Sequence, residues 1–286
     1  MKRTKWISGV AVAAAAVSAL TLSLTATAHA STHSNLAAAA HAADSKAGPK
    51  PTIVLVHGAW GDSSNWDAVV SKLQHDGYTV DVPPNPLEGL TYDAGFIRDY
   101  LHTISGPIIL VGHSYGGAVI TNAATGDKQV KALVYVDAFA PAQGQTVGQL
   151  DSAVPGACVL NPANVYTQNY PGAPKGAVYV YIKQSAFGSC MANNLPANEV
   201  AELAATQRPL TSIVLDQKSG VPAWKTIPSW AIVGTADHAI PPAELLAMAH
   251  QAHAHITMVP GGPHLVMVYA PGVVTNVILE AVHATT

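Results

Sequence analysis

Pro107-Ile-Ile-Leu-Val-Gly-His-Ser-Tyr-Gly-Gly117 decides the fold. Four consecutive apolar residues, Ile108 to Val111, run directly into Gly112-His113-Ser114-Tyr115-Gly116, and the apolar positions Ala118, Val119 and Ala123 follow with helical spacing. A short, continuously apolar run reads as a central strand buried on both faces. Between that strand and the helix stands G-x-S-x-G, which turns the chain sharply at its serine. Such a turn strains the backbone at Ser114 and brings the residues two before and two after it together. Gly112 and Gly116 have no Cβ to clash there, so Ser114 can be held at the tip of the turn. A plain Gly-rich turn would carry a solvated serine and would need neither the strand before it nor the helix after it.

Outward from this stretch, the 286 residues are 49% hydrophobic and 11% charged, enough for one large core. Residues 1–30 read as a secretory signal peptide. Lys2, Arg3 and Lys5 form a basic start, an apolar region follows, and Ala28-His29-Ala30 is an A-x-A cleavage site. Ser8, Gly9, Ser18, Thr21 and Ser23 dilute that region, which is short for a membrane anchor. A secreted, extracellular location is therefore expected, with no membrane attachment after cleavage. Loss of the three cations moves the formal charge from −3 to −6, and an acidic mature chain argues against nucleic acid or an anionic membrane as partner. Residues 31–50, rich in Ala and His without sustained periodicity, read as a flexible linker.

The domain is expected over 51–286. Thr52-Ile-Val-Leu-Val56 is a second buried strand and ends in His57-Gly58-Ala59-Trp60. Asp62, Ser63 and Ser64 offer helix caps, and Trp66, Val69, Val70 and Leu73 form one apolar helical face. Further strands are expected at 78–82, 132–136, 227–233 and 256–259, alternating with helices. This is the pattern of a mostly parallel sheet with helices on both faces, an α/β fold. Ligands of such sheets bind beyond the carboxyl ends of the strands. His57, Ser114, Asp137, Asp237 and His264 all fall there.

Residues 142–224 break the rhythm and are too long for a loop, so they read as an inserted cap, with one helix from Pro196 to about Thr206. Among its tyrosines, Tyr166 and Tyr170 either line a substrate pocket or cover the cap's own small core. The only two cysteines, Cys158 and Cys190, lie in this segment. In a secreted chain they suggest one disulfide, with two buried free thiols as the alternative. His250, His253 and His255 straddle a helix end without a nearby Cys or carboxylate, so no metal site is expected. No sequence feature calls for a cofactor.

Four stretches carry a resemblance: Val54-Leu-Val-His-Gly-Ala-Trp60, Val111-Gly-His-Ser-Tyr-Gly-Gly117, Gly234-Thr-Ala-Asp-His-Ala-Ile-Pro241 and Gly261-Gly-Pro-His-Leu-Val-Met267. From residue 51 onward the chain resembles the α/β-hydrolase superfamily. Within it, plant methyl esterases, hydroxynitrile lyases and small bacterial carboxylesterases look closest. The resemblance implies a catalytic triad in the chain order Ser114, Asp237, His264. It also implies an oxyanion hole built from the backbone N–H groups of Ala59 and Tyr115, with Trp60 walling the pocket or simply packing. Asp137, at the end of a neighbouring strand, competes with Asp237 for the role of acid. His57 and His113 read as structural hydrogen-bonders. The lyases carry Thr where Gly58 stands and Lys where Leu265 stands, which favours ester chemistry here. The implied function is hydrolysis of small or medium carboxylic esters by a carboxylesterase-like serine hydrolase. Lactone, thioester or amide hydrolysis, or a non-catalytic binding module on the same fold, are the alternatives. Oligomeric state and the natural substrate carry no sequence mark.

Overall fold

The computed structural model describes residues 49–286. The expected signal over 1–30 and all but the last two residues of the linker over 31–50 lie outside the described residues. The first apolar run forms β1 (Thr52–Val56), buried after its first residue. Asp62 then caps a single 3-10 turn, Ser63–Trp66: its carboxylate accepts the Ser64 N–H at 2.8 Å, and the Asn65 side chain accepts the Asp62 N–H at 2.9 Å. The turn leads into α1 (Asp67–His75), which buries Val69 and Leu73. The next strand is shorter than the expected 78–82. β2 is only Val80–Asp81, because the Tyr78 N–H donates to Leu73 O at the end of α1 and Pro83 has no N–H to give.

The chain continues through α2 (Leu90–Leu101), β3 (Ile108–His113), α3 (Tyr115–Ala123) and β4 (Val130–Val136). It then leaves the main sheet. α4 (Val147–Asp151), β5 (Val165–Gln168), β6 (Tyr179–Ile182), α5 (Gln184–Met191), α6 (Ala197–Thr206) and β7 (Leu210–Thr211) follow. Strands β5, β6 and β7 form a separate antiparallel sheet. Sequence periodicity reveals only α6 in this segment, and Pro196 is its N-cap rather than its first residue. Cys158 and Cys190 are joined by a disulfide, tying the segment after α4 to α5. β8 (Ser229–Gly234), α7 (Pro242–Gln251), β9 (His255–Val259), α8 (Val266–Tyr269) and α9 (Pro271–Thr285) complete the chain.

The main sheet has the order β2-β1-β3-β4-β8-β9 and is parallel throughout. Successive strand residues face opposite sides, so each strand feeds two cores. Val54, Val56, Leu110, Leu133 and Val233 pack with Ile97 of α2, Val119 of α3 and Leu245 of α7. Ile53, Leu55, Ile109, Val134 and Ile232 pack with Leu73 of α1 and Ile278 of α9. β3 lies between β1 and β4, so its carboxyl end opens at the centre of the sheet, where Ser114 stands.

Candidate active site

Ser114 sits at φ 53°, ψ −126°, between β3 and α3. The positive φ is a strained conformation for a non-glycine residue, and the surroundings hold it. Ser114 N–H donates to Val136 O at 3.2 Å, and Ser114 O accepts from Gly117 N–H at 2.9 Å and Phe139 N–H at 3.1 Å. The two motif glycines are required by close approach. A Cβ on Gly112 would come within 2.6 Å of Gly116 O, and one on Gly116 within 2.5 Å of Val56 O.

His264 lies on the loop after β9, and its Nε2 is 2.9 Å from Ser114 Oγ. Its Nδ1 is 2.7 Å from Asp237 Oδ2. Asp237 follows β8, and its Oδ1 accepts the N–H groups of Ala239 and Ile240 at 2.8 and 2.9 Å. A carboxylate held this way has its second oxygen fixed on the imidazole. That leaves Nδ1 as the donor and Nε2 with a lone pair facing the serine hydroxyl. All three side chains are enclosed, with Ser114, Asp237 and His264 4%, 2% and 1% exposed.

The competing carboxyl, Asp137, does not reach the imidazole. Its Oδ1 accepts the Gly234 N–H at 2.6 Å, while Oδ2 is buried without a partner. Burial, reinforced by the charge of nearby Asp237, pushes its pKa well above the usual carboxylate range, which favours the neutral form of Asp137. The flanking histidines are held as scaffolding. His57 Nδ1 donates to Gly58 O at 2.9 Å, and its Nε2 accepts the Asn85 N–H at 3.0 Å; burial lowers its pKa to about 4. His113 Nε2 donates to His264 O at 3.0 Å, and burial, then the neighbouring His264, holds its pKa well below the usual range. A neutral His113 can thus buttress the backbone of His264 without adding charge.

Ala59 follows β1 and is buried, and Tyr115 opens α3, where the first N–H groups have no helical acceptor. The Tyr115 side chain is anchored through its hydroxyl, which donates to Asp93 Oδ2 at 2.6 Å; Asp93 also accepts the Glu88 N–H at 3.0 Å. Nothing in the sequence marks Asp93, one of two acids, with Asp99, in the amphipathic helix α2. Trp60 adopts φ 56°, and its Nε1 donates to Val180 O of β6 at 2.9 Å, so the loop after β1 is tied to the second sheet. The two tyrosines suggested for the pocket meet their own sheet instead. Tyr166 is 48% exposed and stacks on Tyr181 at 5.0 Å, and Tyr170 stacks on Tyr179 at 4.0 Å. The antiparallel register, with Tyr166 opposite Tyr181 and Gln168 opposite Tyr179, sets these pairs. Of the two readings offered by the sequence, the cap's own packing is the one these contacts fit. A buried acid that sequence reasoning missed, Asp151, ends α4. Among the described residues, no group of three or more His, Cys, Asp or Glu is placed to hold a metal ion.

The sequence matches the profile of the Alpha/beta hydrolase family over residues 53–276. The chain belongs to that family. This alpha/beta hydrolase is 36% identical over 110 residues to the carbendazim hydrolyzing esterase of Nocardioides sp. (strain SG-4G); the match covers 33% of this chain and 44% of that esterase. Among solved structures it resembles tomato methylketone synthase I, with a TM-score of 0.71 and 18% identity over 83% of this chain and 99% of that one. It also resembles an extracellular alpha/beta-hydrolase from a Paenibacillus species, with a TM-score of 0.63 and 23% identity over 81% and 98%. These two likenesses establish the shared fold.

Proposed function

We propose that this alpha/beta hydrolase is a secreted serine carboxylesterase that cleaves small or medium esters through an acyl-enzyme. The observation that carries the reading is the unbroken relay from Ser114 Oγ through His264 to Asp237, at 2.9 and 2.7 Å, on a strained strand-to-helix turn. As Ser114 Oγ attacks the ester carbonyl carbon, His264 Nε2 takes its proton, and Asp237 stabilises the imidazolium that forms. The oxyanion that develops is received by the N–H groups of Ala59 and Tyr115, an effect of about 3–4 kcal/mol per donor. When the tetrahedral centre collapses, His264 returns the proton to the departing alkoxide. Water then attacks the acyl-enzyme with His264 again as base, releasing the acid and restoring Ser114.

Two features support ester cleavage over cyanohydrin cleavage. A Cβ at position 58 would stand 2.5 Å from Ser114 Cβ, so this backbone leaves no room for the lyases' threonine. Leu265, buried, stands where they carry lysine. The relationship to the Nocardioides esterase points the same way, and an unbroken relay argues against a receptor that has lost catalysis. Secretion rests on the signal-like 1–30 segment, with which the Cys158–Cys190 disulfide is consistent. The test is a panel of chromogenic esters of increasing acyl length, with lactone, thioester and amide counterparts, run on protein beginning at Ser31. We expect kcat/KM to be highest for short or medium esters. Turnover of amides alone, or of no acyl compound, contradicts the proposal.

A further inference from the structure

Asp151 is only 4% exposed, yet its Oδ1 has no hydrogen-bond partner. The helix it ends, α4, sends Val147 and Leu150 into the apolar cluster that also contains Ala59, Tyr115, Phe139 and Ile240. Those four residues flank the relay. Ala59 and Tyr115 bring the proposed oxyanion donors, Phe139 N–H donates to Ser114 O, and Ile240 N–H donates to Asp237 Oδ1. Beyond α4 the chain is fastened to the loop carrying the triad acid, because Cys158 N–H donates to His238 O at 2.8 Å. The ionisable groups that act on Asp151 are His264, Asp237 and Glu244. Burial pushes its pKa up to about 7, partly offset by His264 and reinforced by Asp237 and Glu244.

A buried carboxyl oxygen without a partner costs about 1–3 kcal/mol, and a buried, perturbed carboxyl beside a reactive centre is a candidate for a functional role. The relay makes no use of Asp151, since His264 already has Asp237 on one nitrogen and Ser114 on the other. A substrate carboxylate would be disfavoured there by burial and by the neighbouring acids Asp237 and Glu244. A substrate O–H or N–H would instead satisfy the free oxygen, and Val147 and Leu150 would cover the adjoining carbons.

We propose that Asp151 is a specificity-determining residue that accepts a hydrogen bond from the substrate, so that preferred substrates are esters bearing an O–H or N–H donor near the scissile carbonyl, such as hydroxy-acid esters. This rests on the esterase reading above.

The test measures kcat/KM by pH-stat for methyl butanoate, methyl 2-hydroxybutanoate and methyl 3-hydroxybutanoate, with the wild-type chain, Asp151→Leu and Asp151→Asn. We expect at least one hydroxy ester to exceed the plain ester by about tenfold or more in the wild type, because a site built for a donor rejects the analogue lacking it. That ratio falls to near one in Asp151→Leu, whatever the absolute rates, and lies between in Asp151→Asn, whose amide oxygen still accepts. Should Asp151→Leu fail to fold, the Asp151→Asn ratio carries the comparison. Binding to Ser114→Ala, measured by calorimetry, separates this claim from turnover. Tighter binding of a hydroxy ester there, lost on adding Asp151→Leu or lowered on adding Asp151→Asn, supports the contact even if no ester is hydrolysed, in which case only the esterase reading falls. Wild-type ratios near one, ratios unchanged by substitution at Asp151, or equal binding of the hydroxy and plain esters overturn the proposal.

Discussion

At the scale of single residues, two neighbouring aspartates differ in their hydrogen-bond partners. Asp237 accepts two backbone N–H groups and the imidazole N–H. Asp137 accepts one N–H and buries its other oxygen, so it holds its proton. Asp237→Asn should therefore lower kcat by up to ~10⁴, as losing the orienting acid does in other triads. Asp137→Asn, which replaces a neutral acid by a neutral amide of the same shape, should leave kcat within a few-fold. Measuring kcat for both variants under one set of conditions checks this, and a larger loss at Asp137 would reverse the assignment. The identities of Ser114, Asp237 and His264 were legible because each sits in a short motif at a strand end. The neutral state of Asp137 and the Asp93 anchor of Tyr115 were not, because both depend on burial and on partners distant in sequence.

Among the elements, the most informative is the loop after β1, which carries Ala59 and is pinned by Trp60 to β6. A bulky residue at φ 56° is costly, and the Nε1–H to Val180 O bond helps to hold it. Trp60→Phe removes that bond, leaves a carbonyl unmatched, and should loosen β6 by about 1 kcal/mol. Amide exchange over Tyr179–Ile182 should then quicken about fivefold, with kcat/KM falling as the oxyanion donor proposed at Ala59 loses its support. Unchanged exchange would show that the cap does not depend on Trp60. The central strands β1, β3, β4 and β8 could be read from their apolar runs, which suit a strand buried on both faces. The cap could not. Its strands are short, β5 is mostly exposed, and its tyrosines pair across an antiparallel register that no local periodicity reveals. α4 did carry a usable signal, the Thr146 to Gln149 capping box, in which each side chain meets the other's backbone N–H at 3.1 Å. That box marks a helix start at Val147, one turn before Asp151.

Across the whole molecule, buried ionisable groups set how stability varies with pH. His57 and His113 are neutral when folded but take up protons when unfolded below about pH 6.5. Their contribution is therefore present above that pH and is lost as pH falls, through about 4 for His57. Asp137 and Asp151 have the opposite sign. They keep their protons when folded, while the unfolded chain releases them above about pH 4. Their contribution is full in acid and declines as pH rises, through about 7 for Asp151 and well above the usual carboxylate range for Asp137. Thermal melts across pH should accordingly show Asp137→Asn gaining on the wild type as pH increases, with a slope of up to about 1.4 kcal/mol per unit. A constant offset between the two curves would mean that Asp137 is ionised in the fold.

The most direct test of the central claim is covalent. A fluorophosphonate applied to the folded protein should label Ser114 alone, with ester hydrolysis lost in proportion to labelling, and Ser114→Ala should neither label nor turn over. Labelling at a different serine, or undiminished ester hydrolysis by Ser114→Ala, would contradict the account.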